Sequence, residues 1–329
     1  MTLALDALPR RSPRALALRF APIAVPWLML VVMLGIYEQV QGGVFTLDEL
    51  NTETAATLTL LLVAAGQTVV VLLGGIDLSV GGMVSLVTAL AATRFGAGGG
   101  SMVGWALALL ALGAAGGLVN GILISRVRLQ PFIVTLATWS IWSGVALWVL
   151  PTEGGHIPHG FVDWVNARSG GVASTVWLLA ALVLFWLWFR RTRLLLEIRS
   201  IGSSESSAFL SGVPTGAVTI AAYVLSGVFA ALGGLFLVTQ TASGSPTVGN
   251  DYILNSVAAV VIGGTSLFGG RGGLGGTIAG AFILTLIGDV IFALDVSSFW
   301  TPIISGLLLI VAVLANSLTE LYARRQAAR

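Results

Sequence analysis

The acidic residues that could do chemistry lie inside otherwise apolar sequence. Asp77 and Ser79 belong to the segment GGIDLSVGG, Gly74 to Gly82, which separates two long apolar runs. A second acid, Asp289, interrupts the apolar segment LIGDVIF, Leu286 to Phe292. A carboxylate and a hydroxyl at the start of a helix can cap its free N–H groups, whereas acids within a membrane are candidates for lining a transport path or binding a proton. The segment alone leaves these roles open.

Uncharged polar side chains are the other groups that a solute could meet in these apolar runs. Hydroxyls and amides can hydrogen-bond an uncharged polyol, although each of them singly is typical of a bond between packed helices. Two acids are few for a proton relay, which uses a series of ionisable groups. We therefore expect a mostly uncharged translocation path or gate that contains Asp77, Ser79, Asn120, Thr135, Thr138, Asn255 and Asp289.

The residue types exclude several kinds of enzyme. The chain has no lysine, which a P-loop requires, and it has no cysteine and no Gly-x-Ser-x-Gly segment. His156 and His159, with Asp163 nearby, look like metal ligands, but no second ligand cluster accompanies them. We expect no catalytic residue, no cofactor and no bound metal, so energy has to come from an ion gradient or from a separate ATPase. The loop that holds these histidines and Trp164 is a reasonable contact for an external partner protein.

The composition shows in which solvent the chain folds. Of its 329 residues, 56% are apolar and 9% are charged, against about 25% charged in a soluble domain. An apolar run of about 20 residues crosses a bilayer as a helix. Ten such runs span residues 21–40, 54–73, 82–97, 102–124, 131–151, 173–189, 216–238, 253–269, 274–294 and 298–317. The third run is short and follows the Asp77 segment, so it is either a span or a re-entrant segment and the total is nine or ten.

The arginines predict which ends of the spans face the cytoplasm. Every basic residue other than histidine is an arginine, and all of them except Arg94 and Arg168 fall on one side if ten runs are spans. Cytoplasmic segments carry such an excess, so both termini are expected in the cytoplasm. The basic charge then follows the membrane and does not indicate nucleic-acid binding. We expect a basic cytoplasmic tail over residues 1–20, a transmembrane domain over 21–317 and a cytoplasmic tail over 318–329.

Two glycine clusters interrupt apolar runs in a similar way. They are VVVLLGGIDLSVGGMVSL, Val69 to Leu86, and AAVVIGGTSLFGGRGGLGG, Ala258 to Gly276. Interrupted helices at matching positions of two halves are a sequence signal for a transport site. We expect two related halves in parallel, with helix breaks at Gly74, Gly75, Gly81, Gly82, Gly263, Gly264, Gly269 and Gly270.

The longest arginine-bearing connection, residues 190–215, contains the signals of a short helix. We call it the coupling segment. Ser203 or Ser204 is a suitable N-cap, Glu205 lies in the first turn, and Gly212 ends the helix. A helix of about two turns is unstable alone, so it needs a surface to pack on. The segment either lies on lipid or offers Phe209 and Leu210 to a groove on a cytoplasmic protein.

Several blocks, in order, resemble the permease subunits of ribose-type carbohydrate ABC importers. Besides GGIDLSVGG and the second glycine cluster, they are QPFIVTLAT (Gln130 to Thr138), IGSSESSAFLSGV (Ile201 to Val213) and SSFWTPIISGLLLIVAV (Ser297 to Val313). The resemblance covers residues 50–317. It implies a protein of the bacterial inner membrane that works with a second permease subunit, a cytoplasmic ATPase with two nucleotide-binding halves and a periplasmic sugar-binding protein. It also implies that Ser203, Ser204, Glu205, Phe209, Leu210 and Gly212 couple the chain to the ATPase.

The sequence departs from that family at a few positions. Ser206 and Ser207 replace common alanines, Pro131 stands alone where a proline pair is usual, Ser143 replaces a frequent arginine and Asp289 replaces an expected asparagine. We predict an all-α, polytopic membrane protein that serves as the permease of a carbohydrate importer. The alternatives are an ion-coupled secondary transporter and a membrane scaffold that transports nothing.

Overall fold

The computed structural model describes residues 13–96, 99–297, 299–307, 310–311 and 314. The elements are α1 (Pro13–Val40), α2 (Leu47–Leu73), α3 (Ser79–Arg94), α4 (Gly99–Ser125), α5 (Pro131–Val149), α6 (His159–Val165), β1 (Arg168–Ser169), β2 (Val172–Ala173), α7 (Ser174–Phe189), α8 (Arg193–Ser203), α9 (Glu205–Leu210), α10 (Thr215–Thr241), α11 (Asn250–Ile262) and α12 (Leu274–Ala293). Residues 300–307 are also helical. The prediction of an all-α, polytopic membrane protein is confirmed, and the antiparallel pair β1–β2 is a small addition to it.

The helix α2 shows how the sequence sets helix ends. The side chain of Thr46 accepts a hydrogen bond from the Glu49 N–H. Asp48 and Glu49 occupy the first turn, where their negative charge interacts favourably with the helix dipole. The helix ends at Gly74, which has a φ of +93° in the left-handed region that glycine adopts without steric cost. The first predicted break is therefore a true helix end.

The connections between helices gather at two opposite ends of the bundle. At the first, which we call the arginine-rich end, Arg128 pairs with Glu205 at 3.2 Å, and the Gly270 N–H donates to the Leu72 carbonyl at 2.9 Å. The arginines at this end include Arg126, Arg128, Arg190, Arg191, Arg193, Arg199 and Arg271. This grouping matches the distribution expected from the sequence.

At the other end, which we call the opposite end, the His156 N–H donates to the Ala92 carbonyl at 3.0 Å. Arg168 pairs there with Asp48, also at 3.0 Å. Arg168 and Arg94 are the arginines of this end within the described ranges.

Helix lengths differ from the predicted spans at several places. Within the described residues, five helices are long and apolar enough to cross a membrane: α2, α5, α10, α12 and residues 101–125 of α4. The 13 residues of α11 reach only about 20 Å at 1.5 Å per residue. The predicted span 253–269 is therefore wrong beyond Ile262, because the glycines that follow leave the helix. α1 begins inside the predicted tail 1–20, whereas parts of the run 298–317 and the whole tail 318–329 lie outside the described residues.

Small residues bring α4 and α10 into direct backbone contact. A Cβ added to Gly117 would lie 2.1 Å from the Tyr223 carbonyl oxygen, and one added to Gly113 would lie 2.4 Å from that of Gly227. Close approach of this kind lets membrane helices gain packing energy where lipid gives no hydrophobic driving force. It also brings Asn120 of α4 and Ser226 of α10 to the same level as the Asp77 segment.

Candidate functional site

Asp77 lies in the short connection between α2 and α3, and its carboxylate is surrounded by donors. One carboxylate oxygen, Oδ1, accepts from the N–H of Ser79 at 3.0 Å and also from the Ser79 hydroxyl. The other, Oδ2, accepts from the Ser226 hydroxyl at 2.8 Å. The N-cap of α3 is Leu78, so Asp77 satisfies a backbone donor next to the cap, as the sequence led us to expect of its side chain.

The hydrogen bonds continue from Ser79 into two further helices. The Asn120 amide nitrogen donates to the Ser79 hydroxyl oxygen at 2.8 Å. The Thr138 hydroxyl in turn donates to the Asn120 amide oxygen at 2.9 Å. We call Asp77, Ser79, Asn120, Thr138 and Ser226 the Asp77 network, and it ties together α3, α4, α5 and α10.

Thr135 joins this group from the first turns of α5. Its hydroxyl donates to the Ile76 carbonyl at 3.3 Å and to the Pro131 carbonyl at 2.9 Å. Five of the predicted path residues, Asp77, Ser79, Asn120, Thr135 and Thr138, therefore meet in one place. Sequence reasoning found them because each is polar within an apolar run.

Three residues of this region were missed. Ser226 donates to Asp77, and the Gln67 amide, suitably oriented, donates to the Asp77 carbonyl at 3.1 Å and accepts from its N–H at 3.2 Å. The Tyr223 hydroxyl is buried and has no hydrogen-bond partner within the described ranges. A Cβ added to Gly75 would lie 2.6 Å from that hydroxyl. The signal for Gln67 was present, since an amide inside the apolar run of α2 needs a partner in lipid.

The Asp77 network is closed to solvent within this chain. Ser79 is 6% exposed, Thr138 is 5% exposed, and the other three members are less exposed than these. Buried polar groups that are fully paired fix one arrangement of the elements that carry them. The network therefore acts as a tie between four helices, and any motion that separates α3 from α10 has to break the bond between Asp77 and Ser226.

Two predicted path residues lie elsewhere. Asn255 is half-buried on α11. Asp289, on α12, lies near the opposite end and close to Glu53, and one buried carboxyl oxygen of each residue has no hydrogen-bond partner among the described residues. Tyr37 and Glu49 complete this acidic cluster with a bond of 2.8 Å.

The two glycine clusters meet at the arginine-rich end. A Cβ on Gly269 would lie 3.0 Å from the Gly74 backbone nitrogen, and Gly264, Gly269 and Gly270 have positive φ in the connection between α11 and α12. Gly263 is the C-cap of α11. We call the contact of Leu72 and Gly74 with Gly269 and Gly270 the glycine junction.

Gly81 and Gly82 do not break a helix, so that part of the prediction is wrong. Both lie inside α3. A Cβ on Gly81 would lie 2.7 Å from the Gly249 carbonyl oxygen, and one on Gly82 would lie 2.7 Å from that of Trp139. These two glycines serve close packing, which sequence alone does not distinguish from a break.

The coupling segment folds into two helices. The Ser204 side chain accepts from the Ser207 N–H and is the N-cap of α9, with Glu205 in the first turn, whereas Ser203 is the last residue of α8. Ala208 is buried, but Phe209 and Leu210 are 67% and 86% exposed. Gly212, with a φ of +82°, follows the helix. Two large apolar side chains thus project from a helix of fewer than two turns.

The amphipathic helix α8, which we did not expect, holds this unit against the glycine junction. A Cβ on Gly202 would lie 2.0 Å from the Leu72 carbonyl oxygen and 2.6 Å from the Gly270 nitrogen. The Arg199 guanidinium donates to the Gly272 carbonyl at 2.8 Å. The α8 side chains of Leu195 and Ile198 are buried. The coupling segment therefore packs directly on the end of α2 and on the connection between α11 and α12.

At the opposite end, His156 and His159 pack edge to face with ring centroids 5.8 Å apart. Trp164 in the following helix is 74% exposed. The rings of the histidines contact each other in this arrangement, and the loop presents an aromatic side chain outward.

A bundle of apolar helices with sheltered breaks, a buried polar tie and an exposed two-helix segment defines a polytopic helical permease. Comparison with known proteins agrees. Residues 52–313 match the family described as branched-chain amino acid transport system / permease component. The chain belongs to this family.

Named relatives are similar over most of their length. The ribose import permease protein RbsC of Escherichia coli (strain K12) is 35% identical over 306 residues, which cover 88% of this chain and 94% of that protein. RbsC of Bacillus subtilis (strain 168) is 37% identical, covering 78% and 80% of the two chains. The fructose import permease protein FrcC of Rhizobium meliloti is 34% identical, covering 90% and 85%.

Proposed function

We propose that this chain is the permease subunit of an ABC importer that carries a carbohydrate across a bacterial inner membrane. Relatives named for ribose and fructose import support the choice of a carbohydrate. The arginine-rich end faces the cytoplasm, as the excess of arginine there favours, and both termini lie on that side. A cytoplasmic ATPase with two nucleotide-binding halves, a periplasmic sugar-binding protein and a second permease subunit complete the transporter. Specificity rests chiefly with the binding protein.

The observation that carries the proposal is the contact between the coupling segment and the glycine junction. The exposed Phe209 and Leu210 are anchors for a groove on the ATPase. Gly202 lies against the backbone of α2 at Leu72 and of the α11–α12 connection at Gly270, so a shift of α8 and α9 moves both together. A chain without lysine cannot form a P-loop, and this contact supplies the mechanical link to a chain that can.

A second connection leads from the coupling segment to the Asp77 network. Arg128, in the link between α4 and α5, pairs with Glu205 of α9 at 3.2 Å. The next helix, α5, starts at Pro131, and its Thr135 bonds to the Ile76 carbonyl. We assign the network the role of a gate: nucleotide binding shifts α5 and α3 relative to α10 and separates Asp77 from Ser226. The solute then meets hydroxyl, amide and backbone groups, which suit an uncharged polyol.

The docking role is tested with Phe209→Asp. A buried aromatic anchor at an interface is worth about 2 kcal/mol or more, so binding of the ATPase should weaken at least about 30-fold. Binding is measured by titrating the purified ATPase onto the permease in lipid nanodiscs. Trp164→Asp is the matched control, because Trp164 is similarly exposed, 74%, at the opposite end. Equal ATPase affinity in both variants would contradict the docking role of α9.

A further inference from the structure

The helix α11 begins halfway across the bundle. The N–H of Gly249, just before the helix, donates to the Ser85 hydroxyl at 3.0 Å, and the Trp139 indole donates to the Asn250 side-chain oxygen at 3.1 Å. Ser85 and Trp139 lie near the middle of α3 and α5. The first turn of α11 is therefore near the midplane of the membrane.

One side of α11 is polar and uncovered at this depth. Asn250 and Asp251 are exposed, Leu254 is 64% exposed and Asn255 is half-buried. Asp251, Leu254 and Asn255 follow Asn250 by one, four and five residues, and this spacing puts all four side chains on one side of a helix. The last two turns of α11 are buried on all sides: Ser256, Val257, Ala258, Ala259, Val260, Val261 and Ile262. We call Asn250, Asp251, Leu254 and Asn255 the α11 polar face.

Lipid is the wrong neighbour for this face. A carboxylate at the centre of a membrane is unfavourable, and such groups are found facing protein or a water-filled cavity. Asp251 makes no salt bridge with any arginine of the described ranges. The side-chain nitrogens of Asn250 and Asn255 need hydrogen-bond acceptors as well. Water, a polar solute or another protein surface therefore has to cover the α11 polar face.

We propose that the α11 polar face lines the water-filled passage through which the importer moves its solute, a neutral polyhydroxylated molecule. The carboxylate of Asp251 can accept bonds from two adjacent hydroxyl groups, and the amides of Asn250 and Asn255 can both donate and accept. This inference rests on the proposed function and adds the surface that the solute touches. The second permease subunit closes the passage from the other side.

The Asp77 network and the α11 polar face then have different roles, although the sequence placed residues of both in one translocation path. The Asp77 network is buried inside one chain, so it controls the relative positions of helices. The α11 polar face is open, so it can contact the solute. Gly81 packs on Gly249 and Ile253, which links the start of α3 directly to the start of α11 and lets a change in the network alter the passage.

The absence of cysteine allows a direct test of water access. A single cysteine is introduced by Leu254→Cys or by Leu184→Cys, and the full chain is labelled in lipid vesicles with a charged methanethiosulfonate. The thiolate attacks the thiosulfonate sulfur, forms a mixed disulfide and releases methanesulfinate, and burial in apolar surroundings disfavours the thiolate. Leu184 is a matched control, since it is 65% exposed on α7 while Leu254 is 64% exposed on α11.

We expect the cysteine of Leu254→Cys to react at least about tenfold faster than that of Leu184→Cys. A second variant, Asn255→Cys, should also react faster than the control, so that the conclusion does not depend on a single substitution. Equal, slow labelling of all three cysteines would overturn the proposal. Disulfide cross-linking of Leu254→Cys between two copies without labelling would also overturn it, because the face would then be a dry contact between subunits.

The labelling result is independent of the partner proteins. With ATPase, binding protein and D-ribose as the transported probe, modification of Leu254→Cys should block ATP-driven uptake, whereas modified Leu184→Cys should keep it. If neither unlabelled variant takes up sugar, the proposed function fails. If both take up sugar and the α11 cysteines stay unlabelled, the function stands and this assignment of the passage fails.

Discussion

Replacing Gly202 by alanine tests whether the coupling segment acts through the glycine junction. The added Cβ would lie 2.0 Å from the Leu72 carbonyl oxygen and 2.6 Å from the Gly270 nitrogen, whereas ordinary contacts begin at 3.4 Å. The helix α8 therefore has to withdraw from α2 by roughly 1 Å or more, and overpacking of this kind costs about 1–3 kcal/mol.

Gly216→Ala is the matched control. Gly216 is also in a helix at the arginine-rich end, and nothing lies within 4 Å of a Cβ built there. Both substitutions gain roughly 1 kcal/mol at most in helix propensity, so the difference between them isolates the contact with Leu72 and Gly270.

The readout is sugar uptake per ATP hydrolysed in vesicles that contain the assembled importer. About 1–3 kcal/mol against the productive contact lowers its population roughly 5- to 150-fold, so Gly202→Ala should hydrolyse ATP with little uptake. ATPase binding should change much less, because Phe209 and Leu210 remain exposed on α9. If Gly202→Ala and Gly216→Ala transport equally well per ATP, the junction does not transmit the motion.

Two further predictions concern a buried hydrogen bond and helix packing. Ser226→Ala removes the donor to Asp77 Oδ2 and should destabilise the permease by about 0.6–1.7 kcal/mol, the range for bonds between membrane helices; an unchanged melting temperature would argue against the bond. Gly117→Ala puts a Cβ 2.1 Å from a carbonyl oxygen of α10 and should cost about 1–3 kcal/mol, seen as a lower melting temperature.

Local sequence patterns predicted the parts of this protein that depend on local physics. The left-handed end of α2 at Gly74 and the cap of α9 at Ser204 follow from residue type and spacing. Asp77, Ser79 and Asn120 stood out because a polar side chain in an apolar run has to find a partner. Their meeting in one network followed from no local pattern, since it depends on the backbone contact of α4 with α10.

Other features depend on which helix faces meet, and sequence alone does not contain that information. Gly81 resembles the helix-ending Gly74 by type and context, yet it lies inside α3 to make room for Gly249. Ser226 was missed because nothing in its own helix distinguishes it from other small residues. The half-depth start of α11 was missed because the apolar run 253–269 looked long enough to cross the membrane. The helix ends at Ile262, and only the fold shows that the glycines after it form a turn.

The central claim is that this chain takes its driving force from a separate ATPase through the coupling segment. The direct measurement is uptake of D-ribose or D-fructose into vesicles that contain the chain with its ATPase and binding protein, compared with vesicles that contain the chain alone under a pH or sodium gradient. Accumulation that requires ATP and the ATPase, and that fails with the chain alone under either gradient, is the predicted result. Accumulation of sugar by the chain alone, driven by an ion gradient, would contradict the account.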